Sequence, residues 1–141
     1  MKRIYLIIGI IGTLLLSCED DSNEAKDKSL VIDENIELCA GECATDNNLS
    51  ICFDSVSSDS RCASDVICAW EGNAAVEMTF TLNEQDYNLT LNTNRSNRFP
   101  ADTTIKQFRI KLIDLEPTPV STSTIAQKDY VATIEVGVLE D

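Results

Sequence analysis

Apolar and polar residues alternate with a period of two along most of the chain beyond residue 30. The clearest run is 74–82, with Ala74, Val76, Met78, Phe80 and Leu82 on one side and Ala75, Glu77, Thr79 and Thr81 on the other. That is the pattern of a half-buried strand. Asn83-Glu84-Gln85-Asp86 turns the chain, and Tyr87, Leu89 and Leu91 then alternate with Asn88, Thr90 and Asn92 to complete a hairpin. A second hairpin is predicted from Cys43–Asp46 and the run from Leu49 to Val56, because Asn47-Asn48 tolerates the positive φ of a two-residue loop. Its register sets Cys43 opposite Cys52, Ala44 opposite Ile51, Thr45 opposite Ser50 and Asp46 opposite Leu49, with Leu49, Ile51 and Phe53 inward. Phe108, Ile110 and Leu112 predict another strand, ended by Pro117 and Pro119 because neither can donate to a ladder. Tyr130, Ala132, Ile134, Val136 and Val138 line one face of the last. Ile32, Ile36 and Leu38 suggest one or two weaker strands between Leu30 and Ala40. Residues 93–104 read as a loop and 120–127 as a Ser/Thr-rich connection. Seven or eight short strands with no sustained helical period predict an all-β, antiparallel β-sandwich, with a small β-barrel as the alternative.

The first residues follow another rule. Lys2 and Arg3 precede an apolar run from Ile4 to Leu16, which is shorter than the roughly 20 residues a membrane-spanning helix needs. A basic start, a short apolar run and a small residue before the break are the layout of an export signal. The break, Leu15-Leu16-Ser17-Cys18, resembles the lipobox of bacterial lipoproteins, in which the cysteine is acylated and becomes the first residue. Residues 1–17 are therefore expected to be a signal peptide and Cys18 the lipid attachment site. Residues 18–29 carry Glu19, Asp20, Asp21 and further polar residues with Ala25 as the one apolar side chain beyond the cysteine, a composition that cannot bury enough surface to offset ordering. They read as an acidic flexible tether, and residues 30–141 as one domain. An acidic run after the lipid cysteine also resembles a surface-export signal of Bacteroidota lipoproteins.

Charge narrows the partners. The chain has 11 basic and 24 acidic residues, net −13; loss of residues 1–17 removes Lys2 and Arg3 and leaves net −15. Nucleic acid is not the expected ligand, since its binding is driven by basic residues that neutralise phosphates. The chain has no histidine, which removes Ser-His-Asp and Cys-His catalysis and the commonest metal ligand. Asp54, Asp59, Asp65 and Glu71 remain as carboxylates for a two-acid hydrolysis, but nothing in their spacing requires it, and the chain is expected not to be an enzyme.

The sequence converges on Asp59-Ser60-Arg61-Cys62-Ala63-Ser64-Asp65-Val66-Ile67-Cys68-Ala69-Trp70-Glu71-Gly72. Cys62 and Cys68 are expected to form a disulfide, since an envelope location permits one and the loop between them can turn. The hairpin register makes Cys43–Cys52 the second pair, with Cys39–Cys52 and Cys39–Cys43 left open and Cys39 expected to hold the odd thiol. Cys39-x-x-x-Cys43 lacks the His or second Cys pair that a zinc site needs, so no metal or cofactor is expected. Trp70, the sole tryptophan, is expected to pack against the Cys62–Cys68 disulfide. Arg61 is expected to order the turn through an ion pair with Asp59 and Asp65.

These residues, with Phe53-Asp54-Ser55-Val56 before them and Ala74 after, are similar to the signature of small Bacteroidota lipoproteins in which Asp-Ser-Arg-Cys-Pro leads to a Cys, a Trp-x-Gly and an alternating strand. Ala63 stands where that pattern has Pro, and Cys39, Cys43 and Cys52 are additions. The resemblance implies an envelope location and a β fold, and brings no activity with it. Asp54-Ser55-Val56 and Asp102-Thr103-Thr104 resemble O-glycosylation sites of the same group. The expectation is a lipid-anchored, non-enzymatic binding module of the cell envelope, placed at the outer membrane, with the surface and the periplasmic face both left open. It would be held at the membrane through Cys18, with loops 56–65, 93–104 and 116–128 facing a protein or glycan partner, as for a hydrolase inhibitor. The alternative is an accessory lipoprotein of an outer-membrane assembly.

Overall fold

A computed structural model describes residues 28–94 and 100–139. Among the described residues nine strands form two sheets: β1 (Lys28–Ser29), β2 (Asn35–Cys39), β3 (Cys43–Asp46), β4 (Leu49–Asp59), β5 (Ala74–Leu82), β6 (Gln85–Asn92), β7 (Asp102–Ile105), β8 (Phe108–Glu116) and β9 (Val131–Val138). One sheet has the order β1-β3-β4-β5-β6 and the other β2-β9-β8-β7. Neither closes on itself, so the molecule is a β-sandwich and not a barrel. The inward residues of both sheets make one core, in which Phe53, Phe80, Leu38, Ile51, Ile110 and Ile134 are fully buried. Phe80 meets Phe108 of the facing sheet with ring centroids 5.8 Å apart.

The two hairpins follow the sequence pattern. Asn47 at φ 50° turns β3 into β4, and the pairs are Cys43 with Cys52, Ala44 with Ile51, Thr45 with Ser50 and Asp46 with Leu49. The β5–β6 turn is tighter than expected. Asn83 and Glu84 both take positive φ, the requirement of a two-residue primed turn, so Gln85 and Asp86 already belong to β6. In β8 the alternation Phe108, Ile110, Leu112 breaks at a bulge between Leu112 and Asp114. The extra residue shifts the inward parity, and Leu115 becomes the next buried side chain.

Several expectations are corrected. Lys28 and Ser29, assigned to the tether, form β1, which pairs parallel with β3, so the first sheet is mixed. Leu30 directly after them is buried. The 93–104 segment ends in β7, where Thr103, Thr104 and Ile105 pair with β8 across a turn at Lys106-Gln107. The 120–127 connection runs into a 3₁₀ turn at Gln127–Asp129. Val138, read as an inward position, is half-exposed beyond the core.

Bulges in β4 between Phe53 and Ser55 and between Val56 and Ser58 matter because β3 ends opposite Cys52. Past that point the side of β4 away from β5 has no strand beside it. The exposed ladder groups are nonetheless satisfied. Gly41 donates its N–H to the Phe53 carbonyl and Phe53 donates to the Glu42 carbonyl. The Gln127 carboxamide then does for Val56 what a strand would do, accepting from its N–H at 2.9 Å and donating to its carbonyl at 2.8 Å. Gln127→Ala orphans both groups. The loss should be roughly 1–3 kcal/mol, read as a lower urea midpoint with an unchanged slope, and an unaltered midpoint would contradict this role.

Candidate functional site

β4 and β5 diverge at Asp59 and Ala74, but the strands of this connection stay joined for one more turn. Ser60 donates its N–H to the Asn73 carbonyl and Cys62 donates to the Glu71 carbonyl, making a narrow stalk. Gly72 sits at φ 72°, and a Cβ there would lie 1.8 Å from the Ser60 carbonyl oxygen. The glycine is fixed by this close approach as well as by its backbone angle. Beyond the stalk Cys62 and Cys68 are joined, with Cα atoms 5.9 Å apart, and close residues 62–68 into a tip. Ser64 donates its N–H to the Pro119 carbonyl, and the Asp65 carboxylate accepts from the Ser121 N–H and hydroxyl at 2.9 and 2.5 Å. Those two hydrogen bonds from Ser121 hold the Asp65 carboxyl below its ordinary range. The β4–β5 tip is thus tied to the β8–β9 connection.

At the root of the stalk lies a half-enclosed ion pair. Arg61 meets Asp59 through two parallel hydrogen bonds, Nε to Oδ1 at 3.0 Å and Nη2 to Oδ2 at 2.7 Å. Its remaining donors reach the Leu115 carbonyl and, at 2.9 Å, the Pro117 carbonyl. Tyr130 donates its hydroxyl to Asp59 Oδ2 at 3.1 Å. The side chains of Arg61 and Asp59 are 13 and 11 % exposed. The expected ion pair therefore exists with Asp59, while Asp65 belongs to Ser121. Burial opposes the charge on Asp59, but the hydrogen bonds and positive charge of Arg61, joined by Tyr130, outweigh it and hold the carboxyl below its ordinary value. Burial, then the adjacent carboxylate, raises Tyr130 in turn.

The opposite side of the stalk is held by amides. The buried Asn92 accepts from Asn73 at 2.8 Å and donates to the Pro100 carbonyl at 3.2 Å. Asn94 donates to the Gly72 carbonyl at 3.2 Å. Between these two supports is an open cleft of about 240 Å³, walled by Arg61, Glu71, Thr93, Asn94, Asp114 and Thr118. It is smaller than the usual 300–1,000 Å³ of a small-molecule site. Of the four candidate acids, Glu71 lines this cleft, Asp59 and Asp65 are held as described, and Asp54 accepts from Thr79 on the outer face of the first sheet. They are not assembled as a pair around a common substrate position. Among the described residues no group of three or more Cys, Asp or Glu is placed to hold a metal.

Two expectations fail here. Trp70 does not pack on the disulfide; it is 77 % exposed, beside Ile67 at 104 % and Val66 at 46 %. Cys39 is disulfide-bonded, and so does not carry an odd thiol. Cys43 and Cys52 are joined, Cα to Cα 4.0 Å. Cys18 lies outside the described residues. Ser55 and Thr103, the glycosylation candidates, are both within paired strands. Sequence reasoning missed Ser121, Gln127 and the Asn73–Asn92–Asn94 group, whose roles arise from contacts across long separations that no local spacing marks.

No protein-family model, curated protein or solved structure matches the chain.

Removing Arg61 by Arg61→Ala should cost roughly 2–4 kcal/mol, because Asp59 would keep its burial and lose its partner. The sign with pH follows from the depressed carboxyl. The stability drawn from it is present above the unfolded value, near 3.8, and is lost as pH falls through the lower folded value. The gap in stability between the parent chain and Arg61→Ala should therefore shrink below about pH 4. Urea titrations at neutral pH and at pH 3 measure it, and a gap of constant size would refute the assignment.

Proposed function

We propose that this chain is a non-catalytic interaction module of the cell envelope, held at the outer membrane by acyl chains on Cys18, with its loop end as the contact surface. One observation supports the choice of surface. Val66, Ile67 and Trp70 stand in solvent on a tip that a disulfide, the Asp65–Ser121 contact and the Ser64–Pro119 hydrogen bond hold in place. Exposing large apolar side chains gains nothing for folding. Fixing them before contact lowers the ordering cost of binding, and Trp is enriched among residues that dominate contact energy.

The loop between β6 and β7 and the connection between β8 and β9 flank the same end of the sandwich, as the Asn92–Pro100 and Ser64–Pro119 hydrogen bonds require. A rigid scaffold carrying adjacent loops is a common way to build a binding surface. The strongly acidic balance favours partners that are neutral or basic.

The anchor is tested by intact-mass spectra of the membrane-extracted protein, which should begin at Cys18 and carry acyl mass. Acylation of Cys18 leaves five of the six cysteines, so with Cys43–Cys52 and Cys62–Cys68 paired the Cys39 thiol, disulfide-bonded when all six are present, should be alkylated in the acylated form before reduction. An unacylated chain that still carries residues 1–17 would sink the anchor. The contact surface is tested with the mature chain bearing Cys18→Ser, added to isolated envelopes. Binding should saturate and fall by at least about tenfold, or roughly 1.4 kcal/mol, when Val66, Ile67 and Trp70 are together changed to Ser. Because these side chains are exposed, melting should barely move. Equal binding by the triple variant would exclude the tip as the contact surface.

A further inference from the structure

We propose that the occupant of the Val66–Ile67–Trp70 tip is the bilayer surface itself, so that the domain is held at the membrane by a lipid at one point and an apolar loop at another. The inference rests on the anchored-module reading above and names the partner of its contact surface.

The placement of the chain's entry argues for it. β3 runs from Cys43 toward the Asn47-Asn48 turn, and β4 runs back from that turn to Asp59 and the stalk. β1 is parallel to β3, with Lys28 opposite Ala44 and Ala44 opposite Ile51. The N-terminal side of Lys28 therefore faces the loop end and not the hairpin end. Along β5 the distance from Phe80, opposite Ile51, to Ala74, opposite Asp59, is six residues, or about 20 Å at strand spacing. The stalk through Cys62 and Glu71 and the disulfide-closed tip extend beyond that.

Ten residues separate Cys18 from Lys28. Such a length reaches at most about 33–36 Å fully extended. A lipid-bearing Cys18 thus keeps Lys28 within a reach of the bilayer comparable with the distance the loop end projects in the same direction. The end that carries the tip is brought to the surface by the geometry of attachment.

The chemistry at the tip fits that position. Ile67 and Val66 supply apolar reach, and the amphipathic indole of Trp70 suits the boundary between acyl chains and headgroups. Asp65, through Ser121, and the cystine hold the tip in place. The contact needs little intrinsic affinity, because the lipid already confers a high effective concentration. Asp65 and Glu71 are the charged residues between Cys62 and Gly72, and neither attracts an anionic surface. The fit is to zwitterionic lipid, which also separates this contact from the polybasic mode of membrane docking.

The single tryptophan makes the test direct. The mature chain with Cys18→Ser and an N-terminal hexahistidine tag is loaded on phosphatidylcholine vesicles containing nickel-chelating lipid, which imposes the attachment without acylation. Trp70 emission should shift to shorter wavelength and be quenched by lipids brominated in the acyl chain. Val66→Ser/Ile67→Ser, which keeps the reporter, should lose most of the shift and the quenching. Replacing part of the phosphatidylcholine with phosphatidylglycerol should weaken both at low salt, with recovery as salt screens the charge. Emission that stays at its solution wavelength while sedimentation shows the chain on the vesicles would overturn the proposal and leave the tip to a protein or glycan. Failure of acylation in the cell would appear in the mass spectrum and not in this experiment, because the tag replaces the lipid.

Discussion

The loop end of this sandwich depends on one guanidinium. Arg61 lies just past the end of β4, yet it bonds to Asp59 in its own sheet and to carbonyls at the end of β8 in the other. Tyr130, at the start of β9, closes the group by donating to the same carboxylate. Three strand ends from two sheets are thereby fixed around one half-enclosed charge pair. Arginine suits the position because its planar fork matches a carboxylate on one side and leaves donors for carbonyls on the other. An ammonium would offer no such fixed geometry. A buried pair is weak evidence of net stability against an apolar replacement; its effect here is to specify how the two sheets meet where the strands fray into loops.

That fixation separates the central sequence stretch into two sets of residues with different physical duties. Asp59, Arg61, Cys62, Cys68 and Gly72 are explained by the fold. Two form the ion pair, two close the tip, and Gly72 passes so near Ser60 that no side chain fits. Val66, Ile67 and Trp70 are explained by nothing inside the domain. A tryptophan left 77 % exposed forgoes the burial that makes aromatics dominate cores. Its neighbours on the stalk, Ser60 with Asn73 and Cys62 with Glu71, are joined by backbone hydrogen bonds that carry the connection beyond the sheet.

Period and turn chemistry made much of the fold legible. Asn47-Asn48 set a register that predicted the Cys43–Cys52 contact, and the 74–82 alternation located the central strand. The misses have physical causes. β1 and β7 are short edge strands whose existence depends on a neighbour, so their own residues carry little pattern. The bulges in β4 and β8 break the period of two where the chain must bend, which hid Leu115 from a strict alternation. The site was legible in part. Arg61 and Asp59 are close in sequence and could be paired by eye, whereas Ser121 meets Asp65 across 56 residues. Trp70 was misplaced because apolar character predicts burial only when a core is within reach. The stalk carries it away from one.

The same stalk decides what kind of surface this end can be. Were the tip a loose loop, its apolar residues would fold back on the nearest wall and the exposed state would be one conformer among many. Here the disulfide limits the loop to seven residues, Asp65 is tied to Ser121 and Ser64 to Pro119, and the root is locked by Arg61. The backbone that carries the apolar side chains is therefore held before anything meets it. A contact made by such a tip loses little conformational entropy, so three side chains can suffice where a mobile loop would need many more. The small apolar area then sets a limit in the other direction. It is too little for a stable interface of ordinary size, about 800 Å² on each partner, unless a second attachment holds the partners together. The lipid proposed at Cys18 would be such an attachment, and the direction in which Lys28 enters the sheet would set it on the side where the tip can use it.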